Sequence, residues 1–314
     1  MGFTEQEGSQ PEGTKSPVLF TVSRFFNGDV GKEYIAGVFS GLGKVAAGHP
    51  FDTIKSRVQS GKFGTPLEAL MNTVRLEGVA TLYQGVSMPT FGVCFIGGII
   101  FYTNSVIRKI LQPDKSVPLT YQQMFLAGSG AGFVAGLAVP PIEVMKIHLQ
   151  VANKRDVKLH PEQPTTLLRV FQSVGLRHMY SGISATIIRE VGTFGIFFPM
   201  NEYNKALIAT GLSGRRHGQI ESRELGVGWR IAAAWVAGVC CWLPVYPIDV
   251  IKTWMQLHPT KFANIFACAR YLAKNEGSKV FWRGLSPCLL RAGPAYSAQY
   301  LVYEYASGAL RGSK

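Results

Sequence analysis

Three ten-residue stretches carry the same set of reactive side chains at the same spacing. They are Pro50-Phe51-Asp52-Thr53-Ile54-Lys55-Ser56-Arg57-Val58-Gln59, Pro141-Ile142-Glu143-Val144-Met145-Lys146-Ile147-His148-Leu149-Gln150 and Pro247-Ile248-Asp249-Val250-Ile251-Lys252-Thr253-Trp254-Met255-Gln256. In each, an acid follows the proline by two residues, a lysine follows the acid by three, and a glutamine follows the lysine by four. An acid, an amine and an amide at this spacing form ion pairs and hydrogen bonds. They do not make a nucleophile, a metal site or a phosphate cradle.

An α-helix puts residues three and four apart on one face, so each stretch predicts a helix, kinked at its proline, with acid, lysine and glutamine on one stripe. The flanks are small and apolar, as in Ala36–Gly43, Ala127–Val139 and Ala232–Leu243. Charges within such segments are costly in a bilayer unless they pair or face water. One copy alone reads as a surface ion pair. Three copies can satisfy one another in a ring, each acid taking the lysine of another copy.

With 314 residues the chain would ordinarily suggest one or two domains, but the threefold motif implies one domain of three units. Hydrophobic residues make up 47% and the net charge is +13. The basic residues are not gathered into an aromatic-laced arm, which argues against nucleic acid and for an anionic membrane surface. Cys94, Cys240, Cys241, Cys268 and Cys288 show no metal spacing and read as apolar packing residues. The six histidines are scattered, and no catalytic constellation accompanies them, so no enzyme and no cofactor is expected. No run of twenty apolar residues is free of charge, so a plain hydropathy profile under-counts the spans.

Downstream of the motifs come Glu77-Gly78 with Tyr83-Gln84-Gly85, Gly175 with Tyr180-Ser181-Gly182, and Glu276-Gly277 with Trp282-Arg283-Gly284. The middle copy has Val174 where the acid belongs. This compound motif resembles the mitochondrial carrier family over roughly residues 31–310. The resemblance implies an all-α membrane protein of the mitochondrial inner membrane. Its six transmembrane helices would form a three-fold pseudo-symmetric barrel, with three short surface helices on the matrix side and both termini in the intermembrane space.

The chain then divides into a disordered tail at 1–30 and repeats at 31–112, 113–215 and 216–314. The six long helices are expected at about Glu33–Gln59, Ser87–Leu111, Tyr121–Val151, Ser184–Thr210, Gly226–Leu257 and Ser286–Ala309. Surface helices are expected at Pro66–Leu76, Thr165–Ser173 and Lys261–Lys274, and polar linkers at Gln112–Lys115, Asn153–Gln163 and Gly211–Glu224. The resemblance further implies a matrix gate of Asp52–Lys146, Glu143–Lys252 and Asp249–Lys55, braced by Gln59, Gln150 and Gln256. A cytosolic gate would draw on Arg108, Glu202, Lys205 and Glu304. It is incomplete, because Ser105 and Ser307 stand where an acid and a base belong. The empty carrier should therefore open toward the cytosol.

Family contact points map onto Gly92, Arg189 with Glu190, and Arg291. An arginine fork suits a carboxylate and the neighbouring acid suits an ammonium, so the resemblance implies a small zwitterion moved by alternating access. An amino acid is the first reading. Carnitine or acylcarnitine, or S-adenosylmethionine, is the alternative, and a non-transporting scaffold a further one. Trp242 is similar to a tryptophan of ornithine-type carriers and offers a ring for a substrate cation; it equally reads as a packing residue. His49 matches the Gly-His-Pro of carnitine carriers, or is structural. Lys44 faces the cavity or snorkels. Ile96 stands where ornithine carriers have an acid, which favours a neutral or monoaminic amino acid. Cardiolipin at the surface helices and a monomeric state are the remaining expectations.

Overall fold

Prolines and glycines divide this chain into its helices. A computed structural model describes residues 29–112, 119–151, 166–213 and 225–311. The expected tail at 1–30 lies outside the described residues except for Asp29 and Val30, which already open a helix. Of the expected linkers, 113–115, 153–163 and 214–224 also lie outside them.

Among the described residues the structure is helical, with no strand. The helices are α1 (Asp29–Gln59), α2 (Pro66–Asn72), α3 (Ser87–Leu111), α4 (Tyr121–Ala138), α5 (Pro140–Val151), α6 (Leu167–His178), α7 (Ile183–Ser213), α8 (Val227–Leu257), α9 (Ile265–Glu276) and α10 (Leu285–Arg311). α1 packs along α10, α4 along α7, and α7 along α8.

The third long helix differs from its expected continuous course. It breaks at Val139 into α4 and α5, which meet at 64°. Pro140 and Pro141 are adjacent and both lack an N–H, so two successive helical bonds are missing at one place. The single Pro50 of α1 and the separated Pro244 and Pro247 of α8 leave their helices unbroken. Among the described residues two helices, Ile183–Gly211 and Val227–Leu257, are long and apolar enough to cross a membrane. The bent α4–α5 pair makes a third.

The short helices begin where side chains cap them. Thr65, Thr166 and Asn264 each accept a hydrogen bond from the backbone N–H three residues on. The third therefore starts at Ile265 rather than at Lys261. The first keeps regular helix only to Asn72 and continues to Glu77 as a wider turn. The second runs past Ser173 to His178, bending at Gly175. On α9, burial pushes the Cys268 thiol up to about 12, and this protonated side chain packs with Leu272 and Val280.

At or after the end of each short helix's regular part the chain returns through two glycines at positive φ. Gly78, Gly175 and Gly277 adopt 90°, 70° and 77°, and Gly85, Gly182 and Gly284 adopt 81°, 73° and 79°. This region is strained for residues with a Cβ. At the second set space is short as well. A Cβ would lie 3.2 Å from the Lys146 carbonyl at Gly85, 3.5 Å from that of Lys252 at Gly182, and 3.1 Å from that of Lys55 at Gly284. Each return loop thus seats on the motif lysine of another copy.

A charged cavity floor built by three helices

The motif stripes of α1, α5 and α8 converge. Lys146 Nζ lies 2.7 Å from Asp52 Oδ2, Lys252 Nζ 2.7 Å from Glu143 Oε1, and Lys55 Nζ 2.7 Å from Asp249 Oδ2. These are the three pairings that the family resemblance implied. Side-chain exposures are low throughout, from 4% for Lys252 and Asp249 to 21% for Lys146.

The three glutamines do unlike things. Gln59 Nε2 donates to Asp249 Oδ2 at 2.9 Å and to the Tyr246 hydroxyl at 3.0 Å, and its carbonyl accepts from Thr253 Oγ1 at 3.1 Å. Gln150 accepts from Ser56 Oγ at 2.8 Å and touches no motif charge. Among the described residues Gln256 Nε2 reaches only Thr186 Oγ1, at 3.5 Å. Only Gln59 therefore reaches a charged pair directly.

Above the pairs is a cavity of about 140 Å³. Arg189, Arg291 and Trp242 line it together with the motif residues; the apolar lining is confined to Trp242, Ile147 and Cys288. Arg189 and Arg291 turn toward the motif carboxylates. Arg189 Nη2 donates to Glu143 Oε1 at 2.9 Å and to its neighbour Glu190, and Arg189 Nε stands 3.6 Å from Asp249 Oδ1. Arg291 Nη1 lies 3.2 and 3.3 Å from the two oxygens of Asp52. Each motif carboxylate thus has both a motif lysine and an arginine beside it.

Arg189 and Glu190 are held in register by the helix behind them. Along α4, Gly128, Gly132 and Gly136 face the α7 backbone. A Cβ there would meet Phe194 O at 2.4 Å, Glu190 O at 2.4 Å and Ile187 Cα at 2.8 Å. Only glycine permits this approach of two helix backbones.

Other anticipated residues sit differently. Trp242 carries the protein's own cations, with Lys55 Nζ 4.4 Å and the Arg189 guanidinium 5.8 Å from its ring centre. His49 is 1% exposed and does not line the cavity. Its Nε2 donates to the Gln84 carbonyl at 3.0 Å while its ring stacks on Tyr83 at 6.3 Å. Tyr246 does the same in the third copy, donating to the Arg283 carbonyl at 2.8 Å and stacking on Trp282 at 6.5 Å. Gly92 is buried, with Ile142 3.5 Å from the place of its Cβ. Lys44 lies with its Nζ 4.8 Å from the centre of the Tyr296 ring.

At the far end of the helices, Lys205 pairs with Glu202 inside α7 at 2.8 Å. Arg108 lies over the Phe198 ring at 5.6 Å. The side chain of Glu304 lies outside the described ones. One network escaped the sequence reading. Arg57, 1% exposed, binds Glu77 through Nη1 at 2.5 Å and Nη2 at 2.9 Å, Thr73 at 2.8 Å and the Gln150 carbonyl at 3.0 Å. The signal was partial: the middle copy lacks both partners, with His148 and Val174 at these places, but the third keeps Glu276 with Trp254.

A helical protein with paired charges buried between its long helices, and a polar cavity above them, fits a membrane protein that moves small solutes. The family model of the mitochondrial carrier protein matches residues 27–115, 117–211 and 223–314. The chain is 32% identical to the mitochondrial arginine transporter of Arabidopsis thaliana, covering 88% of this chain and 90% of that one. It is 30% identical to a mitochondrial carnitine/acylcarnitine carrier-like protein of the same plant (90% and 99%). It is 29% identical to the mitochondrial basic amino acids transporter of Bos taurus (88% and 92%). The chain belongs to the mitochondrial carrier protein family, and is a multi-pass solute carrier of the mitochondrial inner membrane.

Proposed function

We propose that this carrier moves an amino acid by alternating access, and that Arg189 and Glu190 receive its carboxylate and ammonium. The observation that carries the reading is their adjacency on α7, with Arg189 lining the cavity and Glu190 bonded to it. Arginine and basic amino acid transporters among the relatives support it. The polar, charged lining weighs against a site for an acyl chain, and His49 is engaged by Gln84 rather than by the cavity.

In this reading the three repeats, at 31–112, 113–215 and 216–314, form a six-span barrel of three-fold pseudo-symmetry. Each span is α1, α3, the α4–α5 pair, α7, α8 or α10. The shortest, α3, has 25 residues, or about 37 Å of helix, enough for a hydrocarbon core of about 30 Å. α2, α6 and α9 lie on the matrix surface, where Leu67, Leu168 and Phe266 are exposed and cardiolipin would meet them. The carrier works as a monomer. Asp52, Glu143 and Asp249 with their lysines close the matrix side. Glu202 and Lys205, paired within one helix, leave the cytosolic side open.

Substrate binding must stabilise the other state for the equilibrium to move. A substrate carboxylate taken by Arg189 competes with Glu143 and Asp249 for the same guanidinium. Binding therefore draws Arg189 away from two of the three paired carboxylates at once.

The test is counter-exchange in liposomes carrying the purified chain, with labelled neutral amino acids, basic amino acids or carnitine offered in turn. Uptake from an amino-acid pool that falls by tenfold or more in Arg189→Ala and Glu190→Gln is the expected result. Uptake of carnitine alone would replace the amino-acid reading.

A further inference from the structure

The cations in and beside the cavity, whose lining includes Arg189 and Arg291 but not Lys44, are unequally supplied with carboxylates. Arg189 has three beside it: Glu143, Glu190 and Asp249. Arg291 has one, Asp52, which Lys146 also holds at 2.7 Å. Through Nη1 alone Arg291 reaches it, so its Nε and Nη2 donors have no acceptor among the described residues. Among the described residues Lys44 has no carboxylate within ion-pair distance, and its Nζ lies over the Tyr296 ring.

These two under-supplied cations are neighbours. Lys44, Gly48 and Asp52 follow one another at four-residue steps, on one face of α1. The stem of Arg291 lies where a Cβ on Gly48 would be 3.4 Å from its Cδ and Cγ. Tyr296, one turn beyond Arg291 on α10, presents its ring to Lys44 and is backed by Phe197 of α7, ring centres 6.0 Å apart. Lys44 and Arg291 are thus gathered on one face of α1, Lys44 over the Tyr296 ring and Arg291 against Gly48 one turn on. Together with the six motif charges and the Arg189–Glu190 pair, they leave six cations against four carboxylates around the cavity. A lysine without a counter-charge, beside an arginine that shares its one carboxylate with Lys146, is unfavourable in a membrane interior, and a bound anion is the natural remedy.

We propose that Lys44 and Arg291, seated on Tyr296, form a second anion subsite, and that the substrate is an acidic amino acid. This rests on the amino-acid reading above. The α-carboxylate and ammonium go to Arg189 and Glu190, and the side-chain carboxylate goes to Arg291 and Lys44. A basic amino acid would bring a cation to this pair, and a neutral one would leave it uncompensated.

The experiment is counter-exchange of labelled L-glutamate, L-glutamine, L-arginine and carnitine in liposomes holding the full chain. Thermal stabilisation of the detergent-solubilised protein by the same compounds provides a second readout. Glutamate should be taken up about tenfold faster than glutamine or arginine and should give the largest rise in unfolding midpoint. Lys44→Gln should cut glutamate uptake by about tenfold while leaving glutamine uptake within about twofold; Lys44→Arg should restore glutamate. The wild-type ranking and the thermal shifts stand as tests even if a variant does not fold. Glutamine or arginine matching glutamate, or Lys44→Gln lowering both amides and acids alike, would overturn the acidic subsite and leave the amino-acid reading intact. Carnitine as the only exchanged and stabilising compound would overturn both.

Discussion

His49 sits one residue before a motif proline, beside the motif charges of α1, yet its work is done on the return loop. Its Nε2–H holds the Gln84 carbonyl and its ring lies on Tyr83. Tyr246, also one residue before a motif proline, makes the matching bond and stack with Arg283 and Trp282. The middle copy has Pro140 there, which has no side-chain donor. His49 is thus a clamp between helix and loop. His49→Phe keeps a ring for Tyr83 and leaves a buried carbonyl unpaired. It should cost about 1–3 kcal/mol, read as a lower unfolding midpoint in detergent, with the ranking of transported substrates unchanged. A changed ranking would return His49 to the substrate. Trp242 has an equally local role, with its face occupied by Lys55 and Arg189. Trp242→Leu should lower the unfolding midpoint by removing a cation–π contact of up to about 2 kcal/mol, and Trp242→Phe should recover part of it.

Helix against helix, glycine decides how Arg189 and Glu190 are presented. Gly132→Ala would place a methyl group 2.4 Å from the Glu190 carbonyl, which is backbone and cannot swing aside. The gain in helix propensity, about 1 kcal/mol, is outweighed by overpacking of about 1–3 kcal/mol. Transport should fall with stability. Gly293→Ala on α10, where nothing lies within 4 Å, is the matched control and should be neutral or slightly stabilising. Arg57 and Glu77 couple α1 to the turn after α2 in a similarly exacting way. Glu77→Gln leaves a buried guanidinium without its counter-charge, at a cost of about 3–5 kcal/mol, and Arg57→His with Glu77→Val, the pairing found in the middle copy, should be milder than Glu77→Gln in the same thermal assay. At this scale the sequence was readable where a pattern repeats and obscure where contacts are made once. The motif spacing placed acid and lysine on one helical stripe, and the family resemblance supplied which stripe meets which. The return-loop glycines were visible as a motif, but their seat on the carbonyls of Lys146, Lys252 and Lys55 depends on how helices from distant segments pack. The break at Val139 was implicit in the Pro140-Pro141 pair. That Gln59 alone of the three glutamines reaches a carboxylate follows from Tyr246 and Thr253 standing beside it, and no periodicity encodes that.

Across the whole molecule, three nominally equivalent pairs hold α1, α5 and α8 together with unequal support. The Asp249 carboxylate binds Lys55 at 2.7 Å and Gln59 at 2.9 Å, with Arg189 at 3.6 Å and Lys252 at 3.9 Å, and is 4% exposed. Glu143 holds Lys252 and Arg189, while its Oε2 is buried without a partner. Asp52 holds Lys146 and Arg291, and this group is the wettest: Asp52 is 15%, Lys146 21% and Arg291 27% exposed. Water screens a partly exposed pair and weakens it, whereas a cation left in a dry site pays the full desolvation penalty. Replacing each acid by its amide therefore tests whether the ring is one lock or three. Asp249→Asn should lower the unfolding midpoint most, by the equivalent of about 3–5 kcal/mol, since it leaves Lys55 buried without a counter-charge. Asp52→Asn should lower it least, because Lys146 and Arg291 can turn to water, and Glu143→Gln should fall between. Equal losses would mean that the three pairs break only together. The expected order would mean that the ring parts first at Asp52–Lys146, the wettest of the three pairs and the one that shares its carboxylate with Arg291.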